Sequence, residues 1–230
     1  MKISVVIPVF NERESLPLVV ADIPRPPVAE IVVVDNGSTD DTSRIASGLP
    51  VRLVRESRRG YGSACLAGVA ALEADPPDVI VFLDGDYSDH PEEIPLLLAG
   101  IEAGADLVIG SRALGRREPG ALLPQARFGN LLACFLIRLL YGHRYTDLGP
   151  LRAIRWDAYV KIGMQDTNFG WTCEMQVKAV RVGLAIAEVP VSYRRRVGVS
   201  KITGTVWGTL RAGYKILWTI AKYGVGNRGR

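Results

Sequence analysis

The stretch VIVFLDGDYSDHPEE, residues 79–93, closes an apolar run with Asp84, Asp86 and Asp89. Like charges repel and desolvated carboxylates are costly, so this gathering of charge needs a cause. Helix capping is one. Pro91 suits a first helical position, and Glu92 and Glu93 favour the positive end of a helix dipole. Capping covers Asp89, which stands just before the expected helix. It fails for Asp84 and Asp86, which come too early. Two carboxylates spaced D-x-D across Gly85 can share a divalent cation with phosphate oxygens, the coordination that Mg²⁺ or Mn²⁺ prefers. The tripeptide alone is common, and its weight comes from standing at the end of a strand.

Other strand ends carry similar groups. VIPVFNE stops at Asn11 and Glu12, and VVVDNGSTD stops at Asp35. A carboxylate in that place can accept from a ribose hydroxyl or a base N–H. Turn and cap chemistry also explains Asp35 through Asp41, through Asn36-Gly37-Ser38, and the two uses are compatible. Downstream, ESRRGYGSA supplies Arg58, Arg59 and glycines, among them Gly60, whose backbone can approach a phosphate. GSR ends a later strand with Arg112. GVGNRG at 224–229 fits G-x-G-x-x-G in letters only, because no strand precedes it and no helix follows.

The elements that must position these residues are legible as β-branched runs: ISVVIPV (3–9), EIVVVD (30–35), VRLVR (51–55), DVIVFLD (78–84) and ADLVIG (105–110). Helix-like segments alternate with them, among them ERESLPLVV, STDDTSRIA and PEEIPLLLAGI. Near-continuous Val/Ile runs alternating with helices predict a mostly parallel sheet covered on both faces, an α/β fold. Ligands of such sheets sit beyond the carboxyl ends of the strands. Residues 1–112 read as a doubly wound half. Residues 113–127 read as a loop, followed by an amphipathic helix near 128–142 and a strand-like TDLGPLRAIR. A helix from about Gly170 and the strand AIAEVPVSYRRR come next, and a long helix covers 205–223. With no linker, repeat or low-complexity tract, one domain over 1–230 is expected.

Composition narrows the function classes. The chain has 230 residues, 48% hydrophobic and 23% charged, an ordinary globular balance with ample core. A net charge of +4 with dispersed basic residues suits anionic small molecules or headgroups rather than nucleic acid. Cys65, Cys134 and Cys173 are far apart and odd in number, so no disulfide framework or zinc pattern is implied and a reducing cytoplasm is expected. MKISVVIPVF enters a strand pattern without a signal-peptide cleavage site. No apolar run reaches the roughly 18 residues of a spanning helix. The expected state is soluble or peripheral.

Taken in order, VIPVFNERESLP, VDNGSTDDT, RRGYGSA, LDGDYSDHPEE and GSR resemble the inverting glycosyltransferases of family 2, which have the GT-A fold. The resemblance runs on through TDLGPLRAIR, FGWTCEMQVKA and YRRRVGVSKITGT, and its nearest branch is the dolichyl- or polyprenyl-phosphate sugar transferases. It implies a nucleotide-sugar half over 1–112, an acceptor half over 113–204, and an amphipathic helix with a tail over 205–230. By resemblance, Pro8, Val9, Asn11, Glu12 and Asp35 hold the nucleoside, and Arg59, Gly60 and Gly85 belong to the donor site. Asp84 and Asp86 hold Mg²⁺ or Mn²⁺, with Asp86 at the catalytic centre and Asp89 an open third ligand. Arg112 contacts phosphate. Ser200 and Lys201 belong to a loop closing over phosphate, with Arg194 and Arg196 beside them, and Asp147 joins this acceptor set. Two departures stand out. The family often has Asp-Asp where this chain has Asp35-Asn36, and Tyr-Ser-Asp before His90 is one residue longer than the mannosyltransferase pattern.

The chemistry implied is inversion at a sugar carbon, with a cation and Arg112 stabilising the leaving nucleoside diphosphate. A lipid phosphate acceptor is already anionic and needs no base, whereas a hydroxyl acceptor needs one, for which Glu174 or Asp147 are the candidates. Glu174 is equally a paired helix residue. On a wheel of 205–223, Val206, Trp207, Leu210, Tyr214, Leu217, Trp218 and Ala221 share a face edged by Arg211, Lys215 and Lys222. Such a face suits a cytoplasmic membrane surface or packing on the domain or a partner subunit. The expected function is sugar transfer from a nucleoside diphosphate sugar, with a lean towards UDP over GDP-mannose, to a polyprenyl phosphate. Rivals are a soluble acceptor and nucleotide-sugar synthesis. The latter expects a basic Gly-rich loop after the first strand, where FNERES stands.

Overall fold

The computed structural model describes residues 1–198 and, as a helix, 206–224; for 206–212 and 224 only the backbone is described. The β-branched runs become strands β1 (Ile3–Val9), β2 (Val28–Asp35), β3 (Arg52–Arg55), β4 (Val79–Phe82), β5 (Leu107–Ser111), β6 (Arg152–Arg155) and β7 (Ile186–Pro190). They form one seven-stranded sheet in the order β3-β2-β1-β4-β6-β5-β7. All neighbours pair parallel except β6, which runs antiparallel to both β4 and β5. The strands of the first half therefore do not form a continuous sheet by themselves. A four-residue strand from the second half separates β5 from β4.

β6 brings an arginine into the core. Arg152 stands opposite Phe82 and Ile109 and is fully buried. Its guanidinium donates to the carbonyls of Leu148, Gly149 and Thr172. Such bonds are what a buried cation requires. They also tie the segment before β6 to the helix over 171–181.

Helices cover both faces, as the continuous apolar strands demand. On one side α1 (Leu16–Asp22), α2 (Thr42–Ser47) and α4 (Ile94–Glu102) supply Leu16, Val19, Ala46, Ile94, Leu97 and Ile101 to one core. On the other, α3 (Tyr61–Ala70), α5 (Pro124–Tyr141), α6 (Trp156–Ile162) and α7 (Trp171–Arg181) build a second core around Phe82, Ile137, Tyr159 and Trp171. α3 is made of small residues because it lies hard on the sheet. A Cβ on Gly68 would stand 2.5 Å from Val6 Cγ1. Its sequence, YGSACLAGVA, therefore lacks an amphipathic stripe.

The last helix, α8 (Val206–Gly224), packs on α5 and α7. Thr219 and Ile220 are buried, whereas Tyr214, Leu217 and Trp218 are exposed. The packing face is thus not the face that the helical wheel picks out. Lys215, expected at the edge of that wheel, pairs inward with Asp166 at 2.9 Å.

Candidate active site

The carboxyl ends of β1, β2 and β4 open onto a cleft of about 460 Å³. Pro8, Val9, Phe10 and Glu12 line it from β1, Asn36 from β2, and Asp84, Gly85 and Asp86 from β4. Arg59, Gly60 and Tyr61 enter at the start of α3, Asn168 and Phe169 from the loop before α7, and Arg196 from the segment after β7. Gly85 is required where β1 and β4 end together. A Cβ there would lie 2.6 Å from Val9 Cγ1 and 3.3 Å from the Pro8 carbonyl oxygen. Gly60, with φ +142°, is pressed from another side, since its Cβ would come 2.1 Å from the Thr167 carbonyl oxygen.

The two cleft aspartates differ in surroundings. Asp84 Oδ1 accepts from the Tyr61 hydroxyl at 2.9 Å. Burial, then the neighbouring Asp86, pushes the Asp84 carboxyl up to about 6. Asp86 Oδ1 accepts from the Ser88 N–H at 2.9 Å and from its hydroxyl, while Oδ2 pairs with Arg196 Nη1 at 3.1 Å. Arg196 Nη2 reaches Glu12 Oε1, also at 3.1 Å.

Asp89 is not the helix cap that its position suggests. It precedes a 3₁₀ turn, Pro91–Glu93, in which no side chain caps the start. Its Oδ2 instead faces the Asp84 N–H at 3.5 Å, and among the described residues its buried Oδ1 has no hydrogen-bond partner. Burial, then Asp84 and Asp86, raises its carboxyl well above the ordinary range.

An all-oxygen pair under mutual repulsion, beside a buried carboxylate oxygen without a partner, fits a hard divalent cation. Among the described residues no group of three or more His, Cys, Asp or Glu side chains is arranged to hold a metal. The fit is therefore of the Mg²⁺ type, with one or two carboxylates and the remaining places left for phosphate and water oxygens.

Several residues expected in the cleft are employed elsewhere. Asn11 and Asp35 are not among the described lining residues. Asn11, at φ +55°, accepts from Thr39 N at 2.7 Å, and Asp35 Oδ1 accepts from Ser38 N at 2.9 Å. Both shape the loop after β2. Asn36 explains the departure from Asp-Asp. Its amide nitrogen donates to the carbonyls of Glu56 and Arg58, at 3.0 and 2.8 Å, and its Oδ1 accepts from Gly60 N at 2.8 Å. A carboxylate has no hydrogen to give those carbonyls.

Arg112 and Asp147 form a closed pair outside the cleft lining. The guanidinium Nε and Nη2 each donate to Asp147 at 2.7 Å, and the Arg112 N–H adds a third bond at 2.8 Å. The insertion of β6 moves the end of β5 a strand away from Asp84. Arg112 still lowers the Asp84 and Asp89 carboxyls through its charge. With Asp147 fully buried and saturated by Arg112, it is corrected as a candidate base.

Glu174 is corrected likewise. It is buried and receives the N–H groups of Gln165 and Asp166, the Tyr223 hydroxyl at 2.6 Å and Lys178 Nζ at 2.8 Å. Burial raises its carboxyl, but these bonds outweigh it and hold it below the usual value. Arg194 turns from the cleft, donating to the carbonyls of Tyr87 and Asp89 and stacking on the Tyr87 ring at 3.5 Å. Ser200 and Lys201 lie outside the described residues. Tyr61 and Phe169, which the motifs did not single out, enter only because α3 and the 163–170 loop meet across the cleft.

A sheet of this order, mostly parallel and flanked by helices on both faces, is a GT-A-type fold. Residues 4–163 match the sequence family described as glycosyl transferase family 2, and the chain belongs to that family. It is 38% identical over 214 residues to a glycosyltransferase of Mycobacterium bovis, covering 91% of this chain and 94% of that one. It is 33% identical over 243 residues to the polyprenol monophosphomannose synthase of Mycolicibacterium smegmatis, covering 98% and 87%. It is 33% identical over 229 residues to the undecaprenyl-phosphate mannosyltransferase of Micrococcus luteus, covering 90% of each. Among solved structures, glucosyl-3-phosphoglycerate synthase of Mycobacterium tuberculosis superposes with a TM-score of 0.77 at 24% identity, over 99% of this chain and 82% of that one.

Proposed function

We propose that this glycosyltransferase is inverting and metal-dependent, moving a hexose from a nucleoside diphosphate sugar to a polyprenyl phosphate at a membrane surface. Asp84 and Asp86 would hold the cation, and the Tyr61 hydroxyl orients Asp84 through its bond to Oδ1. When bound, the cation supplies Lewis-acid stabilisation of the leaving diphosphate. The β1 edge, Pro8 to Phe10, and the Arg59–Gly60 wall take the nucleoside end. Asn11, Asp35 and Asn36 act through the loops that they fix. Attack comes from the face away from the diphosphate.

The observation that carries the acceptor is the state of the carboxylates. Asp147 and Glu174 are both spent on internal bonds, and the described carboxylates of the cleft, Glu12, Asp84 and Asp86, are engaged with Arg196 or Tyr61. A hydroxyl acceptor would need a base, and a phosphate does not. The names of the two mannosyl-transferring relatives support the same choice.

The exposed faces of α5 and α8 support a lipid source for that phosphate. α5 exposes Phe128, Leu131, Phe135 and Leu139 along one stripe, and α8 adds Tyr214, Leu217 and Trp218. The sequence has no Asp or Glu from 119 to 146 or from 189 to 230. An apolar stripe on segments whose only charged side chains are basic suits anionic headgroups. No helix among the described residues is long and apolar enough to cross a membrane.

Thermal denaturation with UDP-, GDP- and dTDP-sugars, with and without Mn²⁺, tests the donor site. One donor is expected to raise the melting temperature only when the cation is present. A rise that persists in Asp86→Ala would count against the assignment.

A further inference from the structure

The D-x-D turn carries a second segment along its side. Residues 193–197 run antiparallel to it: Arg194 N donates to the Ser88 carbonyl at 2.9 Å, Val197 N to the Asp86 carbonyl at 3.0 Å, and Tyr193 bridges Asp89. Arg196 stands between bonded backbone positions, so its Cα is held against the turn and any exchange of partners falls to its side chain. That side chain spans two strands. It holds Glu12 at the end of β1 and Asp86 beyond β4, each at 3.1 Å. Among the described residues its buried Nε has no hydrogen-bond partner. A buried donor left unmade is costly, so the ion pairs to Glu12 and Asp86 are not the tightest place this guanidinium could take.

We propose that Arg196 is the exchangeable counter-ion of the metal-free cleft. It neutralises Asp86 and Glu12 until a divalent cation takes Asp86 Oδ2, and then turns its fork onto the diphosphate that arrives with the cation. This rests on the donor and metal reading of the cleft given above. No bond to carbon or phosphorus forms or breaks. One ion replaces another at a carboxylate, and the displaced arginine keeps Glu12 as its second anchor. Cation and arginine compete for one oxygen, so the cation alone binds weakly. A diphosphate offers Arg196 a new anion, which couples cation and nucleotide binding by reciprocal linkage.

The test is Mn²⁺ affinity without any acceptor, read from the electron paramagnetic resonance signal of free Mn²⁺, with no nucleotide, with UDP and with GDP. Wild type is expected to bind Mn²⁺ weakly alone and about tenfold or more tightly with one of the two nucleotides. Arg196→Met is expected to bind Mn²⁺ alone about tenfold more tightly than wild type and to lose most of the nucleotide enhancement. Arg196→Lys keeps the charge without the fork and serves if the methionine variant fails to fold. It is expected to shift both quantities in the same directions by less. Unchanged or weaker Mn²⁺ binding in a folded variant, beside clear nucleotide enhancement in wild type, would overturn the exchange. Absence of Mn²⁺ binding in wild type with either nucleotide would overturn the donor and metal reading itself, and the exchange with it.

Discussion

Asp86 meets three groups at once, the Ser88 amide, the Ser88 hydroxyl and Arg196, and only one of its oxygens is open to exchange. Asp86→Ala removes that oxygen. Loss of a cation's several kcal/mol of charge stabilisation should lower kcat/KM roughly 10²-fold or more, measured with donor and metal in excess. Glu174 makes the opposite prediction. Glu174→Gln should cost about 1–3 kcal/mol of stability at neutral pH, because it weakens a buried network, while turnover per folded molecule stays near wild type. The carboxyl is held below its unfolded value, so its contribution is present above that value and fades as pH falls through the native one. Urea denaturation at pH 7 and near pH 4 should therefore show the gap between variant and wild type narrowing in acid. The sequence makes Asp84 and Asp86 legible because strand ends concentrate function. It hides the fate of Asp147 and Glu174, whose partners Arg112 and Tyr223 lie 35 and 49 residues away.

At the scale of elements, the cleft depends on how closely α3 is approached by the loop before α7. Gly60→Ala would drive a Cβ into the Thr167 carbonyl and force a positive-φ residue to carry a side chain. A stability loss of about 1–3 kcal/mol in denaturant and a raised KM for donor are expected, with Arg59 displaced along with Gly60. α5 is open to a test that leaves the core untouched. Leu131→Glu with Phe135→Glu, both on the exposed stripe, should cut sedimentation with anionic vesicles about tenfold or more, with the melting temperature nearly unchanged. Five strands of the first 112 residues announce themselves through Val and Ile runs. β6 lies within the strand-like TDLGPLRAIR, but its antiparallel place between β4 and β5 is set by distant pairing that no local pattern carries. α3 escapes the periodicity test for a physical reason, since a helix pressed onto the sheet at Gly68 has no room for a large apolar stripe.

The whole molecule is built on one sheet that crosses both sequence halves, so the cleft and the second half are built together rather than joined by a linker. That explains why the ordered motifs were readable from Ile3 to Tyr193 while their division of labour was not. Residues assigned to the acceptor half, Arg194 and Asp147, turn out to brace the donor half's strand ends and turns. Of the residues expected to meet acceptor phosphate, Arg196 alone among those described lines the cleft, beside Asn168 and Phe169 of the same half. On the proposed membrane reading, the net charge of +4 and the absence of Asp and Glu from the sequences of α5 and α8 turn the exposed stripe of α5 towards an anionic bilayer. The most direct test is transfer of radiolabelled sugar from UDP- and GDP-hexoses, with Mn²⁺, to vesicles with and without polyprenyl phosphate. The label should move into the organic-extractable fraction only when the lipid phosphate is present, and chelation or Asp86→Ala should abolish it. Label that stays in the aqueous phase, or reaches a soluble acceptor equally well without the lipid, would contradict the account.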